Sequence, residues 1–250
     1  MWQLSDTTAT CSCNAFTASL DLQRPDGGLR QIAFAHQPLP NASCLEARLN
    51  PAASCPSLEL QDAYQQGNDV VATYASQAKG VHPRFRWRAT PVTASGRGEA
   101  LMMEMLISIH ADRLDTDPAV HIQCRLPAQS CQVLQAPNKP ATHVLHRSEP
   151  SETVNVDCGG ASRAFLFHVA NPSLRFGLVF PTADVIGAEL AGDSSRELIT
   201  SRVSFFDGRL EKGVLRRTQL RLIAAPAEAA DDLLATQWAG MMMAAPPLST

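Results

Sequence analysis

Apolar and polar residues alternate along most of this chain, and turn-forming residues recur at intervals of about eight to twelve positions. Successive side chains of a strand point to opposite faces, so a period of two marks strands with one face buried. Repeated over 250 residues, the pattern leaves little besides stacked antiparallel sheets. The expected fold class is mainly β: a large antiparallel β-sandwich with one short C-terminal helix.

Individual hairpins are legible. Phe16, Ala18, Leu20 and Leu22 share a face, Arg24-Pro25-Asp26-Gly27-Gly28 supplies a turn, and Ile32 and Phe34 continue the apolar face on the return. Residues 57–61 and 69–75 flank a turn at Gln66-Gly67-Asn68. Residues 99–110 are helix formers by propensity, but Leu101, Met103, Met105, Ile107 and Ile109 alternate, and the pattern favours a strand. Residues 164–170 and 174–180 turn at Asn171-Pro172-Ser173 and bring Phe165, Phe167, Phe176 and Phe180 toward one core. Residues 197–206 and 214–223 form a fourth pair. The expected helix covers 227–239, with Pro226 before it, acidic residues in its first turn and Gly240 as its stop.

A chain of this size buries roughly 70% of its unfolded surface, so its core needs no metal and no disulfide. The seven cysteines lack the spacing of a zinc ribbon or a disulfide framework and read as reduced core residues. A single domain over 1–250 is expected, with a linker-like stretch at 136–142 and a tail at 241–250. No apolar run reaches the ~18 residues of a membrane span. The first residues carry neither the basic nor the apolar region of an export signal, so a cytoplasmic location is expected and the Asn41-Ala42-Ser43 sequon has no consequence. A net charge of −3 argues against nucleic acid as a partner. Of the 21 basic residues 18 are arginine, which either reflects codon usage or equips a site for planar anions.

Two segments concentrate chemistry. In 110–121 the pattern places His110 and His121 at the mouth of a loop carrying Asp112, Asp115 and Asp117, a donor set that suits a metal ion if the flanking strands pair. A solvated turn explains the same residues more simply, and no metal is expected. In Arg84-Phe85-Arg86-Trp87-Arg88 three guanidinium groups stand on one face about 6 to 7 Å apart, where only carboxylates or a bound anion relieve their repulsion. Arg84, Arg86, Arg88 and Trp87 are therefore the candidate ligand-binding residues. Gly160-Ala161-Ser162-Arg163-Ala164 lacks the last glycine and the following helix of a nucleophile elbow. His143 and His146 have no evident partner, and Cys11 and Cys13 lack two further ligands. Gly96-Arg97-Gly98 is too short for a dinucleotide-binding loop and no Walker loop occurs, so no cofactor is expected.

The stretches Gln66-Gly67-Asn68-Asp69-Val70-Val71-Ala72-Thr73-Tyr74 and Leu210-Glu211-Lys212-Gly213-Val214-Leu215-Arg216-Arg217, with the Pro226 helix and the Pro247-Leu248-Ser249-Thr250 end, resemble a bacterial family of about this length with no assigned activity. The many long strands also look like the supersandwich of galactose mutarotase-like proteins. That resemblance implies a carbohydrate-related fold and a histidine acid with a carboxylate base, for which His110 or His168 and Asp112 or Glu211 are candidates. Three expectations follow: a module binding a sugar or anionic small molecule, a mutarotase-like enzyme, or a self-associating protein that uses Trp238 and the Met241-Met242-Met243 run as an apolar patch.

Overall fold

The computed structural model describes residues 1–13, 15–49, 58–76, 80–94, 98–136, 139–147 and 153–244. Of the residues read above, Ser57, Gly96, Arg97, Pro137, Asn138 and the Pro246–Thr250 end, together with one of the cysteines, Cys55, lie outside the described residues.

The first strands are β1 (Trp2–Ser5), β2 (Thr8–Cys13), β3 (Phe16–Asp21), β4 (Leu29–Phe34), β5 (Gln37–Pro38) and β6 (Ser43–Leu49). The middle of the chain gives β7 (Glu59–Gln66), β8 (Asp69–Ala75), β9 (Val81–Ala94), β10 (Gly98–Ala111), β11 (Val120–Leu126), β12 (Ser130–Leu134) and β13 (His143–His146). There follow β14 (Thr153–Asn155), β15 (Ser162–Val169), β16 (Leu174–Pro181), β17 (Val185–Asp193), β18 (Leu198–Phe205), β19 (Leu215–Pro226) and the helix α1 (Ala230–Met243).

These strands make two antiparallel sheets. The first runs β1-β2-β3-β4-β6-β11-β18-β17-β14, with β5 beside β4; the second runs β13-β12-β15-β16-β19-β10-β9-β8-β7. Between them lies the main core, where Phe85, Trp87, Met103, Met105, Phe165, Phe176 and Phe180 of the second sheet meet Leu20, Ile122, Val203 and Phe205 of the first. β10 is a strand despite its helix-forming residues: Leu101, Met103, Met105, Ile107 and Ile109 all enter this core, and an α-helix would scatter them around its axis. The hairpin of β15 and β16 around 171–173 forms in the expected register, Phe165 opposite Leu178 and Phe167 opposite Phe176. The 136–142 stretch joins β12 to β13, which are hydrogen-bonded neighbours, and the Thr142 N–H donates to the Val133 carbonyl (2.9 Å).

The expected pair 197–206 and 214–223 does not form, because β18 lies between β11 and β17 in the first sheet and β19 between β16 and β10 in the second. Two further expectations need correction. The helix begins later and ends later than 227–239, because Gly240 sits inside it and Met241 is buried beneath its last turn. Packing of that methionine outweighs the ~1 kcal/mol that an interior glycine costs. The helix lies on the outer face of the second sheet, over Leu166, Val179 and Ile223. Gly177 makes the approach feasible, since a Cβ there would meet Leu234 Cδ1 at 2.6 Å. Trp238 is buried in this contact and donates its indole N–H to Ser162 Oγ (2.7 Å), so it is not part of an exposed patch; Met242 and Met243 are exposed.

The second correction concerns the acidic loop. β10 and β11 do not pair: the chain crosses from the second sheet to the first between them. On the strand faces that point away from the core, His110 and His121 therefore stand on opposite sides of the sandwich. Asp115 pairs with Arg209, Asp117 accepts from the Ala119 N–H (3.0 Å), and Asp112 turns to His82. The five residues do not form one site.

At one side of the sandwich the sheet edges are tied together. Gln65, on the edge strand β7, donates from Nε2 to the Trp2 carbonyl (3.0 Å) and accepts at Oε1 from the Leu4 N–H (3.1 Å) of the other sheet's edge strand β1.

Candidate functional site

The second sheet's outer face is partly covered by α1, and the outer face of the first sheet bears Arg30, Gln31 and Arg125 at one groove and His121, Glu189 and Arg202 at another. The first of these begins with two irregular strands. In β4 one residue of β3 faces two of β4 at Gln31-Ile32, and Gln31 has φ 51°. In β6 the register against β11 slips at Cys44-Leu45, and Leu45 has φ 58°. Such bulges re-aim side chains. The first turns Arg30 and Gln31 outward together; the second buries Cys44 and Leu45 together and returns Glu46 to the outer face. Gly28, at φ 61°, lies against the second bulge, where a Cβ would sit 2.4 Å from the Cys44 carbonyl oxygen and 2.7 Å from the Glu46 nitrogen.

Over these strands lies a groove of about 1180 Å³, lined by β4, the 38–43 segment, Arg125 of β11 and the 195–198 turn. The Glu46 side chain is fully buried beside it. Its Oε1 accepts from Arg125 Nε (2.8 Å), from Arg125 Nη2 and from Ser43 Oγ, while Oε2 lies 3.5 Å from Arg48 Nη2. A buried carboxylate is tolerated only with such partners. Among the described residues nine besides glycine have left-handed backbones; Gln31, Asn41 and Glu197 line this groove and Leu45 borders it. Conformations of this kind cost of order 1–3 kcal/mol each and cluster at functional sites.

Arg30 also lines a smaller cavity of about 230 Å³. Farther across the same face, His121, Glu189, Arg202 and Ser204 line another of about 440 Å³. There His121 Nδ1 is 2.7 Å from Ser204 Oγ and Arg202 Nη1 is 2.6 Å from Glu189.

The residues singled out from sequence lie mostly elsewhere. Arg84, Arg86 and Arg88 do share the outer face of the second sheet, and carboxylates of the neighbouring strands meet the charges of Arg86 and Arg88. Arg88 forms a fork on Asp69 (2.7 and 2.8 Å), and Arg86 lies 3.8 Å from Asp69 and 3.7 Å from Glu104. Arg84 donates to the Tyr64 hydroxyl and stacks over its ring. Glu104 also accepts from Arg221 (3.1 Å). Trp87 is fully buried in the core on the opposite side of β9, away from the arginine face. His110 stacks on His82 (4.8 Å between ring centres), whose Nε2 is 3.2 Å from Asp112 Oδ2. His168 faces Arg175 across β15 and β16, and Glu211 is exposed in the connection before β19. Sequence reading missed Glu46, Arg125, Arg30 and His82. A lone Glu inside Cys44-Leu45-Glu46-Ala47 gives no period-two signal, because the bulge shifts its face.

Two histidines set a pH dependence. Burial lowers the pKa of His110, with the His82 ring adding to the effect and Asp112 opposing it. Burial likewise lowers His168, with Arg175 adding and Asp231 opposing. Both lie below the ordinary 6.5, so as pH falls the unfolded chain takes up these protons first. Their contribution is complete above pH 6.5 and is lost as pH falls below it toward the folded values. The Asp112 window lies lower, because its hydrogen bond with His82 holds its pKa below 3.8. Thermal melts between about pH 7.5 and 5 should show a falling Tm that flattens in a His110→Gln, His168→Gln double variant. An unchanged slope in that variant contradicts the assignment.

Neither a family model nor a curated protein matches the sequence. Solved structures do. A Klebsiella pneumoniae protein assigned as an aldose 1-epimerase superposes with a TM-score of 0.57 at 10% identity, over 94% of this chain and 83% of that one. The two share a fold. A GalM/aldose epimerase homologue from C. elegans matches at 0.47 and 8% identity over 87% of this chain and 98% of its own. A GH36 α-galactosidase from Geobacillus stearothermophilus, solved with raffinose, matches at 0.46 and 8% over 88% of this chain, which spans only 40% of that enzyme. The likeness is one of fold, two stacked antiparallel sheets, and among the described residues no helix is long and apolar enough to cross a membrane.

Proposed function

We propose that this chain binds a small polar ligand of the sugar type in the groove over the first sheet. The observation that carries the reading is the buried Glu46 carboxylate, held by Arg125, Ser43 and Arg48 beside a groove bordered by left-handed residues. The carboxylate fixes Arg125 and Ser43, which line the groove, and hydroxyl-rich ligands are recognised by donors and acceptors held in place in this way. The fold shared with the Klebsiella protein supports the same chemical class. A second reading, aldose epimerisation, is favoured by His121 and Glu189 lining one cavity on that face, since the reaction needs an acid and a base on either side of a sugar ring.

A thermal-shift panel of neutral and acidic sugars tests the first reading. A ligand present at about 100 times its Kd stabilises by ~2.7 kcal/mol. The shift should vanish in Ser195→Trp, which fills the groove from an exposed turn. No stabilisation by any sugar, or an equal shift in Ser195→Trp, would end the reading. Exchange NMR on the same samples decides the second, which fails if anomers interconvert no faster than in buffer.

A further inference from the structure

The groove carries an unbalanced charge. Its lining contains three arginines, and two of them are answered: Arg125 by Glu46, and Arg196 by Asp193 at 3.6 Å. Arg30 is different. Among the described residues it meets no carboxylate; its Nε donates to the Gly27 carbonyl (3.0 Å), which orients the guanidinium and leaves both Nη groups for another acceptor. The β4 bulge is what aims it: without the extra residue, Arg30 and Gln31 would point to opposite faces of the sheet. Beside Arg30, Gln31 accepts at Oε1 from Ser19 Oγ (3.0 Å), so its amide nitrogen is the part left to donate.

On the groove reading above, we infer that the ligand carries one carboxylate, as an acidic sugar does, and that Arg30 docks it. Two Nη donors in a plane match the two oxygens of a carboxylate. A phosphate dianion fits less well, because Glu197 adds a carboxylate to the groove lining and only one guanidinium there lacks an acidic partner. A neutral pyranose would leave that guanidinium unanswered. The residues lining the groove also include no aromatic ring on which its apolar face could stack, so polar contacts must supply the selectivity.

Isothermal titration with D-glucuronate, D-glucose and glucose 6-phosphate separates the alternatives. D-glucuronate should bind tightest of the three. Arg30→Gln should weaken it by about 10- to 100-fold, the loss typical of a hydrogen bond to a charged group, and weaken D-glucose far less. Arg30→Lys keeps the charge but removes the fork, and should recover only part of that loss. Arg30 is exposed, so neither variant threatens the fold. If D-glucose or glucose 6-phosphate binds as tightly as D-glucuronate, or if Arg30→Gln binds the acid unchanged, the carboxylate inference is overturned and the groove reading stands. If none of the three binds and the wider sugar panel is silent, the groove reading itself falls.

Discussion

Replacing Arg125 by leucine is expected to cost about 3 kcal/mol of stability, the low end of the range for removing one partner of a buried ion pair. The cost comes from what is left behind. Glu46 has no exposed side-chain surface, and Arg125 supplies two of the donors on its Oε1. Without them the carboxylate keeps only Ser43 and the more distant Arg48, at 3.5 Å, which is why the low end is chosen. For a chain of this length each kcal/mol moves the melting temperature by about 2–4 °C, so a fall of about 6–12 °C is expected by calorimetry. The control is the Glu46→Leu, Arg125→Leu double variant. Replacing both members of a buried pair by apolar residues is often neutral, so the double variant should melt well above the single one. A double variant no more stable than Arg125→Leu would mean that the arginine acts through packing and not through the carboxylate.

The second large effect is expected at Trp238→Ala. Truncating a buried tryptophan costs about 3–5 kcal/mol, and here it also leaves Ser162 Oγ without the indole donor. The loss falls on a helix that, among the described residues, packs on the second sheet, chiefly through β16 and β19. Hydrogen exchange should therefore quicken first in 230–243 and in the strand segments beneath it, while amides of the first sheet stay protected. Trp238→Phe, which keeps most of the ring and loses the hydrogen bond, should cost about 1 kcal/mol. Uniform loss of protection across both sheets would show that the helix is integral to the core and not a separate layer upon it.

The architecture was legible because burial on one face imposes a period of two. Leu101 to Ile109 and the pair Phe165/Phe176 announce strand and core directly, even against helix propensity. The site was not legible for the same reason. Gln31 and Leu45 break the period, and nothing in a glutamine or a leucine marks a left-handed backbone in advance. Glu46 consequently falls out of phase with its neighbours and reads as a stray charge. The Arg84-Arg86-Arg88 stripe was conspicuous because it keeps the period, yet Asp69 and Glu104, from the strands on either side, meet the charges of Arg86 and Arg88. Only strand order supplies that information. Strand order also separates His110 from His121, eleven positions apart in sequence and on different sheets. The helix end was misjudged because Gly240 was weighed by local preference, whereas Met241 is held by the sheet below it.

The Gln65 amide has a meaning beyond the contact it makes. Its donor and acceptor engage the free rim of β1 as the backbone of one more strand residue would, so one side chain imitates a neighbour that is not there. An open sheet can recruit strands from other molecules along such a rim. Here the rim at Trp2 and Leu4 is already occupied by the opposite sheet, and that edge of the sandwich closes on itself without becoming a barrel.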